Sequence, residues 1–120
     1  SLSGWGKLVW EETWRSLYQE QLLEPPIERI RYGPRFASTV ADYAGTKRRM
    51  TTINQRIDDL AHFLLFKTQR NRLDFKPVRG GAMAPSTHEM DAWHDGDAPR
   101  IYCHFEGDVV VLDRLGEALH

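Results

Sequence analysis

Apolar positions along the chain alternate between steps of three or four residues and steps of two, and each change marks a new element. Trp10, Trp14, Leu17 and Gln21 step by three and four, with Leu8, Tyr18 and Leu22 alongside, which predicts a helix from Lys7 to Leu23. Glu11 and Glu12 favour its first turns through the helix dipole, and Pro25-Pro26 ends it. Ile27 to Tyr32 alternates, with Ile30 and Tyr32 on one face and Arg29 and Arg31 on the other, as a short strand does. Gly33-Pro34 opens a second helix with Phe36, Ala37, Val40, Ala41 and Ala44 as its apolar stripe. Gly45 stops it, and Thr46 caps a third helix. That helix carries Met50, Ile53, Ile57, Leu60, Ala61 and Leu64 on one face, so the two form an antiparallel helical hairpin.

The last third reads as β structure. Leu73 to Val78 is expected as an edge strand because of Pro77, and Thr87 to His94 alternates. Arg100 to Phe105 and Asp108 to Leu115 form a hairpin around Glu106-Gly107, taken as a two-residue turn. Counting outward from that turn, His104 faces Val109, Tyr102 faces Val111 and Arg100 faces Asp113. Ile101, Cys103, Val110 and Leu112 then share an apolar face that packs on the helices. The fold expected is α+β, a helical hairpin on one face of a small antiparallel sheet with an extra N-terminal helix. Residues 1–26 are the helical extension and 27–120 the main domain.

Composition and charge narrow the class. A hydrophobic fraction of 41% argues for a packed domain and against disorder. No apolar run is long enough to span a membrane, and no basic start followed by an apolar stretch suggests a secretory leader. Cys103 is the only cysteine, so no internal disulfide forms and a cytoplasmic, reducing location is expected. Residues 29–79 carry twelve basic against four acidic side chains, a balance of +8. The flanking blocks are acidic: residues 1–28 hold two basic and five acidic side chains, and residues 80–120 hold two and eight. A basic block can hold a polyanion such as RNA, and it can equally pair with the acids on either side.

The hairpin supplies the candidate chemistry. Arg100, Tyr102 and His104 alternate onto the face opposite the apolar one. Arginine grips phosphate bidentately, and Tyr and His stack on bases or move protons. The plainer alternative is a cross-strand Arg100–Asp113 pair beside an ordinary strand tyrosine and an exposed histidine. Cys103 and His104 point to opposite faces, so they are no nucleophile pair. His88 and His94 flank Glu89, Asp91 and Asp95 without HExxH or CxxC spacing, so neither a metal nor another cofactor is expected. Lys47-Arg48-Arg49 sits where the helix dipole disfavours cations, as a partner contact or a solvated helix start. The Trp-rich first helix is expected to cover the domain or to form an oligomer contact.

From Ile27 onward the chain resembles the RelE/ParE superfamily of small bacterial toxins. The resemblance rests on IERIRYGPRFASTVADY, INQRIDDLAHFL, LDFKPVRGG and THEMDAWHDGDAPRIYCHFEGDVVVLDRLG. The last of these looks like the family's short strand, Arg-led strand, tight turn and valine-rich strand. The resemblance implies a toxin acting on RNA, with metal-independent, ribosome-associated mRNA cleavage and a cognate antitoxin that covers the basic face. Carried over by position, Arg100 opens the central strand, and Lys76 and Arg79 hold the basic positions before the family's glycine. These three would clamp phosphate, with His104 or Tyr102 handling the proton. The family's basic segment after the last strand is reduced here to Arg114 and His120. The stretch from Glu89 to Asp97 is acidic where RNA-bound relatives are often basic. The alternative under the same resemblance is a non-catalytic toxin, a ParE-like gyrase inhibitor or a protein-binding module.

Overall fold

A computed structural model of the protein describes residues 30–66, 71–79, 83–94 and 96–118. The predicted N-terminal helix, with its oligomer contact, and residues 27–29 of the predicted first strand lie outside the described residues. In chain order the elements are β1 (Ile30–Tyr32), α1 (Phe36–Ala44), α2 (Lys47–Phe66), β2 (Lys76–Pro77), β3 (His88–Asp91), β4 (Arg100–Glu106) and β5 (Val109–Gly116). The five strands form one sheet in the order β1-β5-β4-β3-β2, with the two helices packed against it. The class is α+β, as expected. The sheet is mixed, not wholly antiparallel: β1 runs parallel to β5, with Ile30 beside Val110 and Tyr32 beside Leu112. A parallel pair needs a long crossover, and the helical hairpin is part of it.

The helices form where four-residue spacing predicts them. Phe36, Val40 and Ala44 are buried along α1, while Ala41 at the edge of the expected stripe is exposed. Thr46 caps α2, its Oγ1 accepting the backbone N–H of Arg49 at 3.2 Å. Ile53, Ile57, Leu60 and Ala61 of α2 enter the core, with Met50 and Leu64 packed at its margin. Two contacts fix α1 and its approach against β5. The Gly33 N–H donates to the Leu112 carbonyl at 2.8 Å, and a Cβ on Gly33 would lie 3.1 Å from that oxygen, so a side chain there would press on β5. The Thr39 hydroxyl accepts the Leu115 N–H at 2.9 Å. From the sheet, Ile101, Cys103, Val110 and Leu112 join the same core, as their alternation predicts.

The β4–β5 register differs from the sequence count. The turn residues are Gly107 and Asp108, with Glu106 facing Val109, and Gly107 supplies the positive φ of 64°. A two-residue turn that opens on glycine is a favoured hairpin connection, whereas the Glu106-Gly107 turn would put glutamate in that first position. Pairing runs through His104↔Val111 and Cys103↔Leu112, then slips at a bulge to Tyr102↔Arg114 and Arg100↔Gly116. Asp113 is the extra residue on β5, so Arg100 does not face it. The other strands are shorter than their alternation suggests. Leu73 to Val78 contributes only Lys76–Pro77, and Thr87 to His94 only His88–Asp91. The Ala92 N–H still donates to the Pro99 carbonyl at 3.0 Å, but proline has no N–H to return the bond, so the β3–β4 ladder goes no further. Among the described residues no helix is long and apolar enough to cross a membrane.

Candidate functional site

Strand register gathers the polar residues into rows on the face away from the core. Lys76, Glu89, Tyr102 and Arg114 are successive partners across β2, β3, β4 and β5. Asp91, Arg100 and Gly116 make the next row. His104 lies two residues along β4 from Tyr102, on the same side. Five of the six residues picked from the sequence therefore share one face. Arg79 lies just past β2, exposed and without a hydrogen-bond or ion-pair partner among the described residues.

Their availability differs from their placement. Arg100 keeps 22% of its side-chain surface and is held by two carboxylates. Its Nη1 pairs with Asp91, and its Nε lies 3.8 Å from Glu89 Oε1, buried and without a hydrogen bond. Both acids come from β3, where alternation in His88-Glu89-Met90-Asp91 sends Glu89 and Asp91 outward and Met90 into the core. The sequence marked this stretch as acidic. Only the register shows that its charge falls on the guanidinium.

Tyr102 is less accessible than its place on the strand suggests. It does point away from the helices, but it is fully buried, because the chain following β5 folds over it. Its hydroxyl donates to the Glu117 carbonyl at 2.5 Å, and a Cβ on Gly116 would come within 3.1 Å of its ring. A phenol sealed in this way has no route to a substrate. Arg114 is half-buried beside it, its guanidinium 5.9 Å from the ring centre and its Nη2 3.2 Å from Met83 Sδ. Lys76 pairs with Asp74 at 3.1 Å.

His104 sits between two acids. Its Nδ1 lies 2.8 Å from Asp113 Oδ1, and its Nε2 lies 3.2 Å from Glu106 Oε1. The bulge turns Asp113 to this position, and the Ser86 hydroxyl donates to its Oδ2 at 2.6 Å. Glu106 also pairs with Arg31 at 3.0 Å. The hydrogen bond to Asp113, then the bond to Glu106 and both negative charges, raise the His104 pKa from its ordinary value against the opposing effect of burial. Once protonated, the ring has both N–H donors committed to carboxylates. Cys103, behind it, is buried, and desolvation with the Asp113 charge pushes its thiol up to about 12, so no thiolate nucleophile forms there.

Two features escaped the sequence reading. Arg56, in the middle of α2, is only 2% exposed and donates to the carbonyls of Asp91 at 2.9 Å, Arg72 at 2.8 Å and Leu73 at 2.5 Å. Burial lowers its pKa, while Asp59 and Asp74 act in the opposite direction. An arginine on the core side of an amphipathic helix was the signal available. The second feature is a cleft of about 480 Å³ beside Arg100, whose walls include Tyr43, Trp93, Pro99, Asp97 and Glu117. Tyr43 closes α1 and the others lie in loops, so no periodicity marks them.

No family model matches the chain, and neither a curated protein nor a solved structure does.

Proposed function

We propose that this chain is a RelE-like domain that acts by binding a protein partner and does not cleave RNA. What supports the RelE-like part is the order of elements: a strand, a helical hairpin, then a short strand, an Arg-led strand, a tight turn and a valine-rich strand. The observation that carries the non-catalytic part is the state of Arg100. Phosphate cleavage needs cationic donors free to meet charge that develops in the transition state. Here the guanidinium best placed for that role is already held by Asp91 and Glu89. Its neighbours are similarly engaged: the Tyr102 hydroxyl with a backbone carbonyl, His104 with two carboxylates, and Lys76 with Asp74. Phosphate arriving at this face would meet as many acids as bases. Under this reading the cognate antitoxin, or a target protein such as gyrase, is the expected partner.

The test is a translating extract charged with a reporter mRNA and increasing amounts of the purified chain, with cut sites mapped by primer extension. Intact mRNA at every concentration is the expected result. Cleavage that Arg100→Ala abolishes, in a protein that stays folded by circular dichroism, overturns the reading in favour of a ribonuclease. A gyrase supercoiling assay on the same preparation identifies or excludes that target.

A further inference from the structure

The cleft beside Arg100 owes its charge to the residues around the arginine. Arg100 and Asp91 both line it and cancel one another through their ion pair. Glu89, from the neighbouring position on β3, adds a second acid to the same guanidinium. Asp97 and Glu117 remain, both exposed, and neither side chain has a hydrogen-bond or ion-pair partner among the described residues. The cleft therefore presents a net negative rim.

Both carboxylates have their backbone held in place. Asp97 follows Gly96, whose positive φ of 62° sets the turn between β3 and β4. Glu117 is anchored by its own carbonyl, which accepts the buried Tyr102 hydroxyl, while its side chain stays outside. Between them stand two aromatic groups. Tyr43 is 40% exposed and makes no ring contact among the described residues. Trp93 already holds a cation, with the Arg49 guanidinium 4.2 Å from its ring centre. The buried indole thus already has a cation over its ring, and aromatic faces attract cations generally.

We propose that this cleft receives a cationic side chain of a protein partner, an arginine or lysine within a basic peptide segment. Tyr43 and Trp93 would form its aromatic walls, and Asp97 and Glu117 its counter-charges. The volume of about 480 Å³ is ample for one long basic side chain and the peptide backbone that carries it. Anions are disfavoured, because Arg100 is the one arginine or lysine among the described lining residues and its charge is already met. The inference depends on the binding reading above only in taking the partner to be a protein.

The test is an NMR titration of the isotopically labelled full chain with a blocked arginine pentapeptide, its lysine and citrulline counterparts, and inorganic phosphate. Saturable shifts of the Gly96 and Asp97 amides and the Trp93 indole are expected with the arginine or lysine peptide. Citrulline has nearly the same shape without the charge and should leave these resonances in place. Asp97→Asn and Glu117→Gln, both at the exposed rim, should each weaken peptide binding about threefold and together about tenfold. The proposal fails if the charged peptides give no saturable shift at millimolar concentration, if citrulline or phosphate moves the same resonances as strongly, or if the double variant binds unchanged. These outcomes are distinguishable from failure of the binding reading. RNA cleavage would remove that reading and leave the cleft's cation preference intact, while a failed titration removes only the cleft.

Discussion

One sheet carries two faces that work by different rules. Toward the helices, Ile101, Cys103, Val110 and Leu112 need only be apolar and of suitable size, because burial itself is the driving force. On the outer face several charges have a specific partner: Arg100 with Asp91 and Glu89, His104 with Asp113 and Glu106, Lys76 with Asp74. The contrast teaches that polar residues gathered on an open face do not by themselves make a reactive site. Charges that neutralise each other specify register and leave little field for a substrate.

The largest expected effect lies on the apolar face. Leu112→Ala should cost about 2–5 kcal/mol in urea unfolding, as cavities in packed cores do. A loss under about 1 kcal/mol would mean that this face is loosely packed and the contrast is smaller than drawn. On the outer face Asp91→Asn should cost about 1–2 kcal/mol, between the values for exposed and buried ion pairs. Arg100→Met in that background should recover part of the loss, since it removes the cation left short of a partner. Tyr102→Phe should cost about 1 kcal/mol, the usual worth of one satisfied buried hydrogen bond.

The smallest effect sharpens the contrast most, because two histidines on adjacent strands titrate in opposite directions. His104 has a raised pKa, so its pairing with Asp113 and Glu106 stabilises the fold below about pH 6.5 and that contribution is lost as pH rises through the raised value. His88 stacks on Phe75 with ring centres 5.0 Å apart and meets Phe105 edge-on, and burial lowers its pKa. Its neutral form is the stable one, so stability falls as pH drops below about 6.5 toward the lowered value. Imidazole proton shifts followed from pH 5 to 9 should place the His104 midpoint above that of His88. Asp113→Asn should draw the two together, and a His104 midpoint unchanged by that substitution would contradict the pairing.

The part of this molecule that was legible in sequence is the part set by neighbours in sequence. The Phe36–Val40–Ala44 stripe, the Thr46 cap and the Ile101–Cys103 alternation all depend on residues within one turn or one pleat, and all fell where expected. The parallel pairing of β1 with β5, the Gly107–Asp108 turn and the Asp113 bulge depend on partners distant along the chain. A one-residue change in turn position, together with the bulge, moved every β5 partner of β4, so Arg100 faces Gly116 and not Asp113, and its ion-pair partners Asp91 and Glu89 come from β3. Tyr102 was placed on the correct side of its strand, yet the cover over it comes from the last residue of β5 and the one after it, which no alternation describes.

The Arg56 contacts have a consequence for how the chain tolerates change in length. Three carbonyls from two separate stretches converge on one planar fork, and the Arg72 carbonyl lies sixteen positions from it along the chain. Lysine offers a single ammonium and cannot reproduce that geometry. Adding or deleting a residue between 71 and 75 would pull two of the carbonyls off the fork while the third stayed in place. A stretch that looks like a permissive surface connection is therefore measured out, residue by residue, by a side chain in the middle of a helix.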